Sequence, residues 1–316
     1  MLTSESFVAV AATYGASLFI RYFSRLVTVV ALLIAPPLAS ASSPNIMAWG
    51  HLTPDSGSMG VNQLRRGCGG SAESCVRSVQ AADLTGISLV ALSIAQAKES
   101  EEAVQAKAAA YSRIARRSPA IKEIGIDDFW SFVSRIKSDR PADYLERLIG
   151  AVKAHDSRLS FGITVYEDQL GRLETSDRTP MAVRSMVDRV ALYMHFRSSV
   201  ASYDADVKKA RRLFPNAKIY AGIYHYDRQD YIGCERGSRL RCDESQEWSL
   251  YNEALHVQVG MLKSGAVDGI ELYPGRLGRE ADLKSWDNPK ICAPKRRAEC
   301  IAVTKRMTDA LGHALK

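Results

Sequence analysis

The 316-residue sequence predicts an α/β fold, a (β/α)8-type TIM barrel, over residues 42–316. Three observations predict it. Short apolar runs alternate with amphipathic segments of helical period, which implies right-handed βαβ units and a parallel sheet. The runs end in acidic, histidine or tyrosine residues, so parallel strands gather those groups on one rim. An open nucleotide-binding sheet calls for Gly-x-Gly-x-x-Gly at its first turn, and Gly67-Cys68-Gly69-Gly70 is a poor substitute.

Taken in order, the amino end comes first. Arg21 and Arg25 precede the apolar stretch Leu26 to Ala35, followed by Pro36-Pro37 and the triplet Ala39-Ser40-Ala41. This reads as a secretory signal over residues 1–41, cleaved after Ala41. Its rival is a retained membrane anchor, for which the apolar stretch is short.

Asn45 to His51 reads as the first strand, and residues 52–83 as a long Gly/Ser-rich connection. Leu84 to Ala95 is the second strand, Lys98 to Arg117 a helix, and Glu123 to Phe129 the third strand. In the helix Asp143 to His155, Leu145, Leu148, Ile149 and Val152 share one face, and Pro141 stands where a helix start tolerates proline. The strands Ser160 to Tyr166, Arg189 to Phe196, Lys218 to Tyr226 and Val267 to Tyr273 follow. Between and after them lie the helices Met181 to Val187, Asp204 to Phe214, Gln246 to Ser264 and Ala298 to Leu315. That makes seven strands, so the barrel is incomplete or distorted unless an eighth is hidden.

Alternate residues divide each strand in two. Ile124/Ile126, Ile163/Val165, Val190/Leu192/Met194 and Ile219/Ala221/Ile223 form an apolar set that faces helices. The opposite parity runs from small to polar: Gly125/Asp127, Gly162/Thr164/Tyr166, Ala191/Tyr193/His195, Gly222/Tyr224/Tyr226 and Gly269/Glu271/Tyr273. The small residues make room inside the barrel, and the polar ones crown its carboxyl-terminal end.

Cysteine usage agrees with export. Cys68 and Cys75, Cys234 and Cys242, and Cys292 and Cys300 form three close pairs, and local closure within each is the simplest of the fifteen pairings. No Cys-x-x-Cys occurs, so a zinc site on these residues is not expected. The formal charge of +7 favours an anionic partner such as an envelope or extracellular polysaccharide, rather than nucleic acid. Arg65-Arg66 and the other small basic groups read as solvated faces.

The candidate catalytic residues are Asp127, Asp128, Glu167 and Glu271, four carboxylates on one expected rim. Glycosidic-bond hydrolysis uses such a set, one protonated acid for the leaving oxygen and one ionised carboxylate as nucleophile or base. Trp49, Tyr166, Tyr224 and Tyr273 add rings that stack on sugars, while His195 and Asp227 position substrate through hydrogen bonds. Glu271 is expected as nucleophile or base and Glu167 as acid, with Asp127 and Asp128 as alternatives for either. No cofactor is expected.

Glu167 after the fourth strand counted here and Glu271 in the seventh resemble the large barrel clan of retaining glycoside hydrolases, which places acid/base and nucleophile at those strand ends. That clan's Asn-Glu is replaced by Tyr166-Glu167. Ile126-Asp127-Asp128-Phe129 is similar to strand ends of less-studied sugar hydrolases. The resemblance spans Asn45 to Tyr273. Two other readings stay open. One is a barrel that binds glycan without cutting it; the other is a metal-dependent deacetylase or phosphodiesterase using His195, His225, Asp227 and the Asp127/Asp128 pair.

Overall fold

In the computed structural model, the described residues are 43–50, 52–67, 71–95, 99–224, 244–273 and 297–316. The chain divides into two units, Met1–Ser43 and Pro44–Lys316, and every element named below belongs to the second. Among the described residues no helix is long and apolar enough to cross a membrane.

Eight parallel strands close into a barrel in sequence order. They are β1 (Asn45–Trp49), β2 (Gln63–Gly67), β3 (Leu89–Ser93), β4 (Ile121–Ile126), β5 (Ser160–Tyr166), β6 (Arg189–Tyr193), β7 (Lys218–Tyr224) and β8 (Gly269–Tyr273). The first and last pair with each other, Met47 opposite Glu271, so no edge is left open.

The strand missing from the sequence reading is β2, inside the segment taken as a connection. Short helices at Pro54–Ser58 and Ala72–Gln80 flank it. Its residues, Gln-Leu-Arg-Arg-Gly, carry one aliphatic side chain and two arginines, a pattern that gives no local strand signal. The arginine that faces inward is neutralised by residues far away in the chain, which a local pattern does not contain. With β2 counted, Glu167 follows the fifth strand and Glu271 lies in the eighth, so the resemblance in strand numbering does not hold. The acids that end the fourth strand are Asp127 and Asp128.

Strand parity is as expected. Ile124, Ile126, Ile163, Val165, Val190, Leu192, Ile219, Ala221 and Ile223 are buried in the layer between sheet and helices. The helix Pro141–Lys153 begins on its proline and buries Leu145, Leu148, Ile149 and Val152 in that layer. The helix Glu101–Ala115 is held at its start by Ser100, whose hydroxyl accepts from the Ala103 amide at 3.2 Å, with Glu101 and Glu102 against the positive end of the dipole.

Inside the barrel, the glycines make space for particular side chains. A Cβ on Gly162 would overlap the Glu123 carboxylate, and one on Gly222 would overlap the Tyr193 ring. The small-residue parity thus seats the large polar groups of neighbouring strands.

Candidate active site

The floor of the site is a layer of four charges from alternate strands: Arg65 on β2, Glu123 on β4, Arg189 on β6 and Glu271 on β8. Barrel interiors are built in such layers of four, normally with apolar residues. All four side chains are at most 4% exposed. They form a closed ring. Arg65 Nη2 reaches Glu123 Oε1 at 2.9 Å, and Arg65 Nε lies 3.2 Å from Glu271 Oε2. Arg189 donates to both Glu123 oxygens, at 2.6 and 2.7 Å, and to Glu271 Oε2 at 2.8 Å. Signs alternate around the ring, so each buried charge has two opposite neighbours and the layer sums to zero. That offsets the desolvation which makes isolated buried charges untenable.

Electrostatics follow from this arrangement. Burial works against the charge on Arg65, yet Glu271 and Glu123 hold its pKa above the ordinary value. Burial pushes the Glu123 and Glu271 carboxyls up, and Arg65 opposes it in both. Arg65 is therefore not on a solvated face, contrary to its reading as part of a surface basic pair.

Above the floor, Tyr193 donates to Glu271 Oε1 at 3.2 Å. Its ring lies 5.0 Å from that of Tyr224, whose hydroxyl is 2.7 Å from the Tyr166 hydroxyl. Tyr273 meets Tyr224 edge-on at 5.9 Å and Trp49 at 5.4 Å. Tyr166 also stacks flat on His195, centroids 3.6 Å apart and planes 12° from parallel. Trp49, Tyr273, Tyr224, Tyr166 and His195 thus make one aromatic arc at the carboxyl-terminal ends of β1, β8, β7, β5 and β6. Gly67 leaves room for it, since a Cβ there would stand 3.1 Å from the Trp49 ring.

Asp127 and Asp128 follow β4 at the same end. Asp127 is mostly enclosed, and burial, reinforced by the neighbouring Asp128, raises its pKa to about 6. Its Oδ1 accepts the Asp128 amide at 3.0 Å. Asp128 is exposed and has φ of 47°, the one left-handed non-glycine among the described residues. A left-handed aspartate costs backbone energy, and here it stands at the turn from β4 into the short helix Phe129–Val133.

Glu167 is placed differently. Its Oε2 accepts the His195 amide at 2.7 Å, and its Oε1 is closed to solvent with no hydrogen-bond partner among the described residues. Burial raises its pKa. Asp168 Oδ1 lies 2.9 Å from His195 Nδ1.

Asp127 and Glu271 lie within electrostatic reach of each other, whereas Glu167 interacts with Asp168 and His195. Asp127 is at the mouth, Glu271 is locked in the floor, and Glu167 serves the join between β5 and β6. Asp227, His225, Cys68, Cys234, Cys242 and Cys292 lie outside the described residues, and Cys300 is described only in its backbone. Cys75 is buried and disulfide-bonded.

Sequence reasoning missed Arg65, Glu123, Arg189 and Asp168. The signal for two of them was present: Glu123 shares the inward parity of Gly125, and Arg189 that of Ala191.

No protein-family model matches the chain, and no curated protein does. Solved structures do match in fold. A Thermobacillus composti GH10 xylanase superposes with a TM-score of 0.54 at 10% identity, covering 86% of this chain and 97% of that one. The Ignisphaera aggregans GH53 catalytic domain gives 0.51 at 11% identity, covering 75% and 86%. Xylanase XynB from Paenibacillus barcinonensis, complexed with a conduramine derivative, gives 0.50 at 12% identity, covering 80% and 91%. These likenesses are of the barrel fold.

Proposed function

We propose that the chain is an exported barrel enzyme that hydrolyses glycosidic bonds of an envelope or extracellular polysaccharide. The observation that carries this reading is Asp127, a carboxyl at the barrel mouth whose burial lifts its pKa to about 6. It stands beside an exposed second carboxylate, at the same end of the barrel as the aromatic arc. A carboxyl still part-protonated near neutral pH is what protonation of a glycosidic oxygen requires, typically giving ~10²–10⁴-fold in rate.

In this mechanism Asp127 donates its proton to the leaving oxygen as the bond from the anomeric carbon breaks, and Asp128 takes a proton from the water whose oxygen bonds to that carbon. Trp49, Tyr224 and Tyr273 hold the sugar by stacking, and His195 and Asp227 position it. Glu271 is not the nucleophile: one oxygen is held by two arginines and the other by Tyr193, with no exposure to a substrate. It acts instead through the charge it sets beneath Asp127. Export, cleavage after Ala41 and closure of the three cysteine pairs belong to the same proposal, as does an anionic polysaccharide suited to the +7 charge.

The deciding experiment compares Asp127→Asn with the wild type for release of reducing ends from polysaccharides and for glycan binding. Lost turnover with retained binding supports the assignment; undiminished turnover removes it. The engagement of both Glu167 and Glu271 favours a second reading, a barrel that binds glycan without cutting it. Saturable glycan binding by a wild type that releases no reducing ends would select that reading.

A further inference from the structure

We propose that Glu167, Asp168 and His195 form a site for a divalent transition-metal ion where the ends of β5 and β6 meet. Each offers one donor atom, and these atoms all lie within 4.8 Å of one another. Asp168 Oδ1 and His195 Nδ1 are already 2.9 Å apart. Donor atoms around a tetrahedral ion with bonds of ~2.0–2.2 Å stand roughly 3.4 Å from each other, so small rotamer changes complete the geometry.

The second observation is the orphaned oxygen of Glu167. Its Oε2 accepts the His195 amide, while Oε1 is closed to solvent and meets no donor among the described residues. Buried carboxylate oxygens rarely stay unpartnered, because the lost hydration is not repaid. A cation bound through Oε1 would supply the missing partner.

The donor set indicates the class of ion. One imidazole nitrogen with two carboxylates suits zinc, cobalt or manganese better than calcium or magnesium, which prefer all-oxygen cages. Three protein donors leave a position open for water or a sugar hydroxyl. Because His195 lies flat against Tyr166, an ion here would fix one end of the aromatic arc as well as joining two strands. These residues are distinct from the Asp127/Asp128 pair, so the inference does not depend on the hydrolytic reading.

The test uses the full chain with its cysteines left oxidised, stripped with chelator, then titrated with Zn²⁺ by calorimetry and with Co²⁺ by visible absorption. One equivalent is expected, with a visible Co²⁺ band, and His195→Ala and Glu167→Gln should each weaken binding by roughly tenfold or more. Asp127→Asn should bind metal as the wild type does, which separates this site from the proposed hydrolytic one. Absence of saturable binding, or unchanged affinity in either His195→Ala or Glu167→Gln, overturns the proposal. Glu167→Gln keeps the side-chain shape, so a folding defect in the alanine variant does not blur the result.

Discussion

Arg189 and Glu123 face each other across the inside of the barrel in a bidentate pair, Nε to Oε2 at 2.7 Å and Nη2 to Oε1 at 2.6 Å, from positions 66 residues apart. Planar guanidinium and planar carboxylate match in this geometry, and no lysine reproduces it. Arg189 also reaches Glu271, so it holds together half of the ring that floors the site.

Arg189→Met should destabilise the fold by about 3–5 kcal/mol, because two buried carboxylates are left to a single arginine. Adding Glu123→Gln to Arg189→Met should recover part of that loss by restoring the charge balance. Denaturant unfolding of the single and double variants measures both; equal destabilisation would show that the four charges do not act as a unit.

The Asp127 pKa gives a pH dependence with a definite sign. An unfolded aspartate titrates at ~3.9, and in the folded chain Asp127 is raised to about 6. Its stabilising contribution is therefore full below the unfolded value and lost as pH rises through about 6. Across that window the stability of Asp127→Asn should rise relative to the wild type, as read from thermal unfolding at successive pH values. Under the proposed mechanism, wild-type kcat/KM should also fall on the alkaline side with an apparent pKa near 6.

Gly162→Ala should cost ~1–3 kcal/mol or prevent folding, since the added methyl overlaps the buried Glu123 carboxylate. Gly150→Ala makes the control. It lies in the helix Pro141–Lys153 with nothing within 4 Å of the new Cβ, and should stabilise by about 0.5–1 kcal/mol. Similar unfolding midpoints for the two variants would contradict the seating role given to Gly162.

Asp128 separates backbone from chemistry. With φ at 47° it occupies a region that asparagine tolerates and valine does not. Asp128→Asn should keep the melting temperature and lose hydrolysis, whereas Asp128→Val should lose ~1–2 kcal/mol of stability as well. Full activity in Asp128→Asn would remove the carboxylate from the mechanism.

Much of the fold could be read from local pattern, and part of the site could not. The alternation of Ile163 and Val165 with Gly162, Thr164 and Tyr166 assigns faces to β5 without reference to any other strand. The same reasoning put Asp127, Tyr224 and Tyr273 on one rim, because strand ends fall together once the strands are parallel. It failed at β2, where an inward Arg65 looks like a surface charge until Glu123 and Glu271 are placed beside it. It also gave Glu271 a catalytic role from its rim position and the clan resemblance, although the side chain is buried among Arg65, Arg189 and Tyr193.

By itself, then, the sequence determined the alternation of strand and helix, the inward and outward parity, and the rim on which acids and tyrosines collect. These are short-period properties, set by side chains two to four residues apart. The tertiary structure decided which charges neutralise one another. Arg65 meets Glu123 across 58 residues and Arg189 meets Glu271 across 82. Barrel closure and strand stagger bring such distant residues to one height, and only that geometry shows whether a carboxylate is open to a substrate or held by arginines in the floor.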